Sequence, residues 1–191
     1  MFSVYHCMWL VICGCLLVAA VVWLRSRRPP LDWVLSVACG GCVLSEVTKV
    51  FSVMQWVPSS DGETWYPYLE LQHLPLHLCS IQLVLIFYVR FAKKGRMRDA
   101  VLAFMYPTCM LGAFLALLMP SIYGSSIEAA QSFTHPLAYQ YFLYHTMLIV
   151  VGGYIALSGQ VAIRAKHYFS TLALLGGLAF ASLYFNAMFA V

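Results

Sequence analysis

Charge is what this sequence of 191 residues has least of, since Asp, Glu, Lys and Arg together make up only 9% of it, against about 25% in an average soluble domain. Seven acidic and eleven basic residues are too few to cover the surface of a water-soluble globule of this length. The same shortage excludes a disordered chain and a coiled coil, which both need many charged positions. Because 62% of the residues are hydrophobic, we predict a membrane protein.

Common nucleotide-binding, hydrolase and zinc motifs are also missing. The sequence contains no P-loop, no G-x-G-x-x-G, no G-x-S-x-G and no zinc-type spacing of cysteine and histidine. The formal net charge of +4 forms no basic face, because the cations stand in short clusters between apolar runs. We therefore expect no cofactor, no metal ion and no nucleic-acid partner.

Six apolar runs have about the 20 residues that a helix needs to cross a hydrocarbon core. They cover residues 4–24, 33–57, 75–91, 100–119, 137–157 and 168–191. The connections between them are too short to hold a soluble domain. We predict a single all-α domain over residues 1–191, a polytopic membrane bundle of six transmembrane helices.

The cationic residues predict how this bundle is oriented. They cluster after the first, third and fifth runs, whereas loops 58–74 and 120–136 carry acidic residues and no Lys or Arg. Cytoplasmic loops are enriched in Lys and Arg, so we expect both termini to be extracytoplasmic and the protein to lie in the cell (cytoplasmic) membrane. Positive charge follows the first apolar run, at Arg25, so we expect no cleaved signal peptide.

Polar residues inside the apolar runs are candidates for function, because an ionisable side chain in a bilayer must pair or reach water. Glu46 and Lys49 stand three residues apart, so we predict an ion pair on the second helix, either structural or functional. Counting about 1.5 Å per residue from the outer end of each run gives depths of about 12 Å for Lys49, 16 Å for Glu46, 6 Å for Cys79, 12 Å for His145 and 7 Å for Asn186. All five lie in the outer half of the membrane.

Helical periodicity predicts which of these side chains point inward. On the third helix Cys79 and Gln82 share a face with Pro75, while His77 points elsewhere. On the fifth helix one stripe contains Tyr141, Tyr144, His145, Leu148 and Gly152. We expect Gly152 and Gly153 to permit close helix contact. Aromatic residues near the ends of the runs are expected to be interfacial anchors; they are Trp33, Trp56, Trp65, Tyr66, Tyr123 and Tyr139.

The cysteines and the other histidines allow alternative interpretations. Cys39 and Cys42 have the C-x-x-C spacing of redox proteins, but small residues on a packed helix face explain them more simply. Cys7, Cys13, Cys15 and Cys109 are expected to be small apolar core residues. We expect His73 and His135 to be hydrogen-bonded loop residues. Haem held by His77 and His145 is a further alternative.

Two short strings carry a resemblance to a known family. Residues 73–80, HLPLHLCS, and residues 139–146, YQYFLYHT, resemble the two signatures of a bacterial integral-membrane family typified by YwaF. That family is similar, more distantly, to the eukaryotic transmembrane protein 164, an acyltransferase that remodels ether phospholipids. The family usually has a threonine where this sequence has Met119, and usually continues past Asn186 into a seventh helix. We therefore expect either a short member or an incomplete chain.

The resemblance implies a lipid acyltransferase or acyl hydrolase with Cys79 and His145 as its catalytic pair. Glu46 would orient the imidazole, and Lys49 would hold a phosphate or stabilise an oxyanion. The remaining candidates for the surroundings of the pair are His77, Gln82, Tyr141, Tyr144 and Asn186. Membrane lipids are the expected partners, with a lipid or acyl chain as substrate. The alternative is a small transporter or a lipid- or ion-binding membrane protein without catalytic activity.

Overall fold

The computed structural model of the chain describes residues 3–59, 64–69, 78–123, 126–159 and 166–189. Within these ranges the helices are α1 (Val4–Arg27), α2 (Leu31–Val53), α3 (Leu78–Phe91), α4 (Arg96–Leu118), α5 (Pro136–Leu157) and α6 (Lys166–Phe189). Between α2 and α3 lies a hairpin of β1 (Gln55–Pro58) and β2 (Trp65–Tyr68), and a 3-10 turn (Ala129–Gln131) precedes α5. The order of the helices agrees with the order of the apolar runs.

Four of these helices are long and apolar enough to cross a membrane, namely α1, α2, α4 and α5. Their 22 to 24 residues correspond to about 33–36 Å, which exceeds a hydrocarbon core of about 30 Å. The described α3 is apolar but shorter, at 14 residues. The chain is therefore a multi-pass membrane protein.

The second helix ends earlier than predicted, at Val53 instead of residue 57. Met54 is extended, and the next four residues pair with β2 in antiparallel register, from Gln55 opposite Tyr68 to Pro58 opposite Trp65. Proline disfavours the helical conformation of the residue before it, and Trp and Val favour strands. The all-α prediction thus describes the bundle but not this connection between α2 and α3.

The other helix bounds differ from the apolar runs mainly where polar residues extend a helix. α1 continues to Arg27, and α4 begins at Arg96, because a helix can continue past its apolar part. Ser3 caps α1 by accepting a hydrogen bond from the His6 amide at 3.2 Å. The predicted start of the third helix, at residue 75, lies outside the described residues.

Helix α5 is the centre of the bundle and packs against α1, α2 and α4, while α3 packs against both α2 and α4. Gly152 allows the closest approach of α4 to α5, because a Cβ atom there would lie 2.9 Å from Met110 Cγ and 3.0 Å from the backbone oxygen of Tyr106. This part of the small-residue prediction is confirmed. The prediction for Gly153 does not agree with the described part of the chain, where a Cβ atom at Gly153 would meet no atom within 4 Å.

One end of the bundle, which we call the cationic end, is held together by charged groups. The buried Arg98 of α4 forms an ion pair with Asp32 of α2 and donates a hydrogen bond to the backbone oxygen of Val89 of α3 at 2.7 Å. Tyr154 of α5 donates to the backbone oxygen of Pro29 between α1 and α2. These contacts at the cationic end therefore connect one end of each helix from α1 to α5.

The opposite end, the hairpin end, has an aromatic cluster around Trp9 of α1. Its indole stacks between Phe133 and Phe142, with ring centroids 5.2 and 4.8 Å away, and donates a hydrogen bond to the backbone oxygen of Ser132 at 3.3 Å. The hydroxyl groups of Ser132 and Tyr123 lie 2.6 Å apart. Burial raises the pKa of the Tyr123 phenol, and this hydrogen bond offsets part of the rise. The cluster fixes the connection between α4 and α5 onto α1.

Candidate functional site

The candidate site lies in the half of the bundle towards the hairpin end, where Tyr144 of α5 meets α3. The Tyr144 side chain is buried, and its hydroxyl donates a hydrogen bond to the backbone oxygen of Cys79 at 2.7 Å. Cys79 lies in the first turn of α3, is partly buried and packs against the core. The stripe predicted on α5 is confirmed, since Tyr141, Tyr144, His145, Leu148 and Gly152 are all buried.

His145 is buried and is oriented by its own helix. Its Nδ1 atom lies 2.6 Å from the backbone oxygen of Tyr141. A carbonyl oxygen only accepts hydrogen bonds, so Nδ1 must carry the proton, and in the neutral ring Nε2 keeps the lone pair. The imidazole also packs against the rings of Tyr141 and Tyr144, with centroids 4.4 and 5.6 Å away. In the neutral ring, this arrangement leaves Nε2 as the basic nitrogen.

Cys79 and His145 lie on different helices, and Tyr144 contacts both residues. Its ring meets the imidazole edge to face, while its hydroxyl binds the backbone of Cys79. Sequence periodicity placed Tyr144 and His145 on one stripe, but it held no signal for the bond to α3. The catalytic role of the two residues stays a prediction.

Gln82 bonds to α4 through both the nitrogen and the oxygen of its amide group. Its amide nitrogen donates to Thr108 Oγ1 at 2.9 Å, and its amide oxygen accepts from Cys109 Sγ at 3.1 Å. The Thr108 hydroxyl in turn donates to the backbone oxygen of Phe104 at 2.8 Å. Gln82 therefore fastens α3 to α4 one turn below Cys79.

Sequence reasoning missed the part that α4 plays in this polar group. Thr108 was not singled out, and Cys109 was expected to be only a small apolar residue, whereas its thiol is a hydrogen-bond donor. The available signal was a polar threonine inside an apolar run, which must bond to something. Of the other cysteines assigned to the core, Cys13 is buried, but Cys7 and Cys15 are exposed, so for those two the prediction is wrong.

The predicted ion pair between Glu46 and Lys49 is confirmed, with 2.7 Å between Oε1 and Nζ. Because α2 ends at Val53, Lys49 lies only about 6 Å and Glu46 about 10 Å from the end of the helix, which is shallower than predicted. The carboxylate of Glu46 bonds to Lys49, whereas the imidazole of His145 is held by the backbone of Tyr141. The expectation that Glu46 orients the imidazole is therefore replaced by a role for Tyr141.

The C-x-x-C segment agrees with the packing interpretation. Cys39 and Cys42 are buried free thiols on α2. Between them, Gly41 faces α5, because a Cβ atom there would lie 2.5 Å from Met147 Sδ. The segment is a close contact between two helices.

Some predicted residues fall outside the part of the chain that the structure describes. His73 and His77 lie outside it, as does the side chain of Asn186, whose backbone is in α6. His135 is a hydrogen-bonded loop residue as predicted, since its Nδ1 accepts from the amide of Leu137 at 3.3 Å. Among the described residues, no group of three or more His, Cys, Asp or Glu side chains has the placement to hold a metal ion.

Comparison with known proteins gives one match. Neither a curated protein nor a solved structure matches the chain. The model of the TMEM164 family matches residues 1–191, the full length of the sequence. This match confirms the resemblance to transmembrane protein 164, while the branch typified by YwaF stays a prediction. The chain belongs to the TMEM164 family.

Proposed function

We propose that this protein is a membrane-embedded lipid acyltransferase or acyl hydrolase in which Cys79 is the nucleophile and His145 the general base. The observation that carries the proposal is the position of Tyr144, which contacts the backbone of Cys79 and the ring of His145. The family match supports it, because the resemblance to transmembrane protein 164 implies a cysteine and histidine pair. Membership alone would leave the reaction open.

The proposed reaction begins with proton transfer. Nε2 of His145 takes the proton of the Cys79 thiol as the sulfur attacks the carbonyl carbon of a lipid ester. A C–S bond forms, the ester C–O bond breaks, and the proton passes from His145 to the departing alkoxide. In a second step the hydroxyl oxygen of a lysolipid, or of water, attacks the thioester carbon, a C–O bond forms and the C–S bond breaks. His145 takes the proton of the hydroxyl and passes it to the departing sulfur, so the thiol is restored.

The surroundings of the pair suit this order of events. A free thiolate is costly in a low-dielectric interior, so proton transfer should accompany the attack. The backbone oxygen of Tyr141 holds the imidazole in the tautomer whose Nε2 accepts the proton. Tyr144 holds the first turn of α3. Both tyrosines are positioning residues in this scheme.

Lys49 is the proposed contact for a lipid phosphate. It lies about one turn from the end of α2, about 6 Å along the helix, which is near headgroup depth. Its partner Glu46 holds the ammonium group in place at 2.7 Å. In this proposal all six helices cross the cell membrane, both termini are extracytoplasmic, and the site opens to the outer leaflet, in agreement with the cationic loops.

The test is covalent labelling of purified protein in detergent micelles by a phosphatidylcholine with an alkyne-tagged acyl chain. We expect a hydroxylamine-sensitive label on the wild type and none on Cys79→Ala. Cys13→Ala, which changes another buried cysteine on α1, is the matched control and should label normally. A label that persists in Cys79→Ala would disprove the proposal.

A transporter or binding protein is the second candidate, favoured by the ion pair of Glu46 and Lys49 within an apolar helix. Substrate uptake into proteoliposomes that is driven by a proton gradient, lost in Glu46→Gln and kept in Cys79→Ala would support it. Absence of gradient-driven uptake together with labelling of Cys79 would reject it.

A further inference from the structure

An apolar groove of about 400 Å³ runs between α2 and α3. Its lining residues are Val43, Glu46, Val47, Val50 and Phe51 of α2 and Leu83 and Phe87 of α3. Only apolar atoms face the groove, so Glu46 contributes the carbon atoms of its side chain while its carboxylate binds Lys49. The described residues that line the groove therefore offer no hydrogen bond to water, an ion or a headgroup.

The α3 wall of the groove begins at Leu83, about one helical turn from the proposed nucleophile Cys79. Cys79, Leu83 and Phe87 are spaced at i, i+4 and i+8 on α3, so they follow one side of the helix. Leu83 lies about 6 Å and Phe87 about 12 Å along the helix from Cys79, towards the cationic end. A chain lying in the groove would thus have one end at Cys79 and the other deeper in the bundle.

The groove is continuous with the lipid-facing surface of the bundle. Val43 and Phe51, on its α2 wall, are 52% and 73% exposed, and both belong to a helix long enough to span a membrane. An acyl chain can fill such a surface through van der Waals contacts alone, whereas a polar occupant would lose its hydrogen bonds. The order of residues along α3 also suits a glycerolipid, because Cys79 lies nearer the hairpin end than Leu83 and Phe87, as a lipid ester lies nearer the headgroups than its tail.

We propose that this groove binds one acyl chain of a membrane glycerolipid, which enters sideways from the bilayer with its ester carbonyl at Cys79 and its tail along Leu83 and Phe87. The chemistry at Cys79 rests on the proposed function, whereas binding of the chain does not. The groove then selects the acyl chain by length, because a chain that overfills it cannot bring its carbonyl to the sulfur.

Photo-crosslinking tests the binding alone. Cys79→Ala protein in nanodiscs is irradiated with a phosphatidylcholine whose acyl chain carries a diazirine, and crosslinked peptides are quantified. We expect crosslinks to the groove residues to exceed those to the lipid-exposed Val18 and Val22 of α1. Val47→Trp, which fills the groove from its half-exposed wall, should lower the crosslinks to Leu83 and Phe87 about fourfold, as expected for the loss of roughly one buried methylene contact.

Val84→Trp is the matched control, because Val84 is 63% exposed on α3 and outside the groove. It should leave these crosslinks unchanged. Crosslinking of the groove that does not exceed crosslinking of α1, or that is equal in Val47→Trp and Val84→Trp, overturns the inference. Leu83→Trp fills the groove from α3 and should also lower crosslinking of the groove. Agreement between the two variants would show that the effect is not a folding defect of Val47→Trp.

Labelling of protein that retains Cys79 distinguishes an error in the groove proposal from an error in the proposed reaction. With Cys79 present, Val47→Trp should shift labelling from long to short acyl probes about fourfold, while Val84→Trp keeps the wild-type ratio. Labelling of Cys79 without selective crosslinking would reject acyl-chain binding in the groove and support the proposed reaction. Selective crosslinking without labelling of Cys79 would support binding in the groove and reject the proposed reaction.

Discussion

The hydroxyl of Tyr144 and the backbone oxygen of Cys79 lie 2.7 Å apart and join α5 to the first turn of α3. The bond connects the helix of the candidate base to the helix of the candidate nucleophile. Both helices lie beside α4, which packs against each of them. The bond thus crosses the place where three helices meet.

Tyr144→Phe removes this hydrogen bond and keeps the ring. We expect acylation of Cys79 to slow about tenfold, because the nucleophile is less well positioned, with a loss of about 1 kcal/mol in unfolding free energy. The measurements are the rate of acyl-probe labelling and thermal unfolding in detergent. Tyr154→Phe is the control, since its hydroxyl bonds to Pro29 at the cationic end. Equal labelling rates in the two variants would contradict the positioning role.

His145→Gln removes the proposed base. General-base catalysis contributes about 10²–10⁴-fold, so we expect labelling of Cys79 to fall by at least about 100-fold. The control is His6→Gln, because His6 is another buried histidine, bonded to the backbone oxygen of Leu117 at 2.8 Å. Labelling of His145→Gln at the rate of His6→Gln would exclude the base role. Both rates are to be compared at equal folded fraction, measured by circular dichroism.

Gly152→Ala and Gly153→Ala should have different effects on the free energy of unfolding, although the two residues are neighbours. At Gly152 the new Cβ atom would meet Met110 and the backbone of Tyr106 at about 3 Å, so α4 must move, at a cost of about 1–3 kcal/mol. At Gly153 the space is open, and alanine should be neutral or stabilise the helix by up to about 1 kcal/mol. Thermal unfolding of the two variants measures the difference, and equal melting temperatures would argue against this helix contact.

Asp32→Asn should loosen the cationic end. The substitution leaves the buried Arg98 without its counter-charge, and we expect a loss of about 1–3 kcal/mol, since Asp32 itself is 41% exposed and partly screened by solvent. Asp99→Asn, at an exposed position near Arg98 on α4, should change stability by less than about 0.5 kcal/mol. Similar melting temperatures for the two variants would show that the ion pair contributes little.

The helix bundle could be predicted from the sequence because the length of an apolar run and the helical spacing of its residues are properties of the local sequence. The stripe from Tyr141 to Gly152 was predicted by spacing alone, and it is buried as expected. The end of α2 was not predicted correctly, because it depends on the pairing of Gln55 with Tyr68 on a separate strand. Hydropathy alone does not separate an apolar strand from the last turn of an apolar helix.

The candidate site was predictable only as a set of residues. Depth and spacing selected Cys79, His145, Tyr144 and Gln82, but the partners of these side chains are set by which helices become neighbours. The bonds of Gln82 to Thr108 and Cys109 cross from α3 to α4, and no periodicity within one helix predicts such a contact. For the same reason, the partner of the His145 imidazole was assigned to Glu46 and is instead the backbone of Tyr141.

The central position of α5 has a consequence for motion at the site. Tyr141, Tyr144 and His145 belong to two consecutive turns of one helix that packs on α1, α2 and α4, so they move as a rigid set. Cys79 belongs to α3 and meets this set through the Tyr144 hydroxyl. Any displacement of the first turn of α3 away from α5 therefore breaks the Tyr144 hydrogen bond, while Gln82 still holds the next turn of α3 to α4.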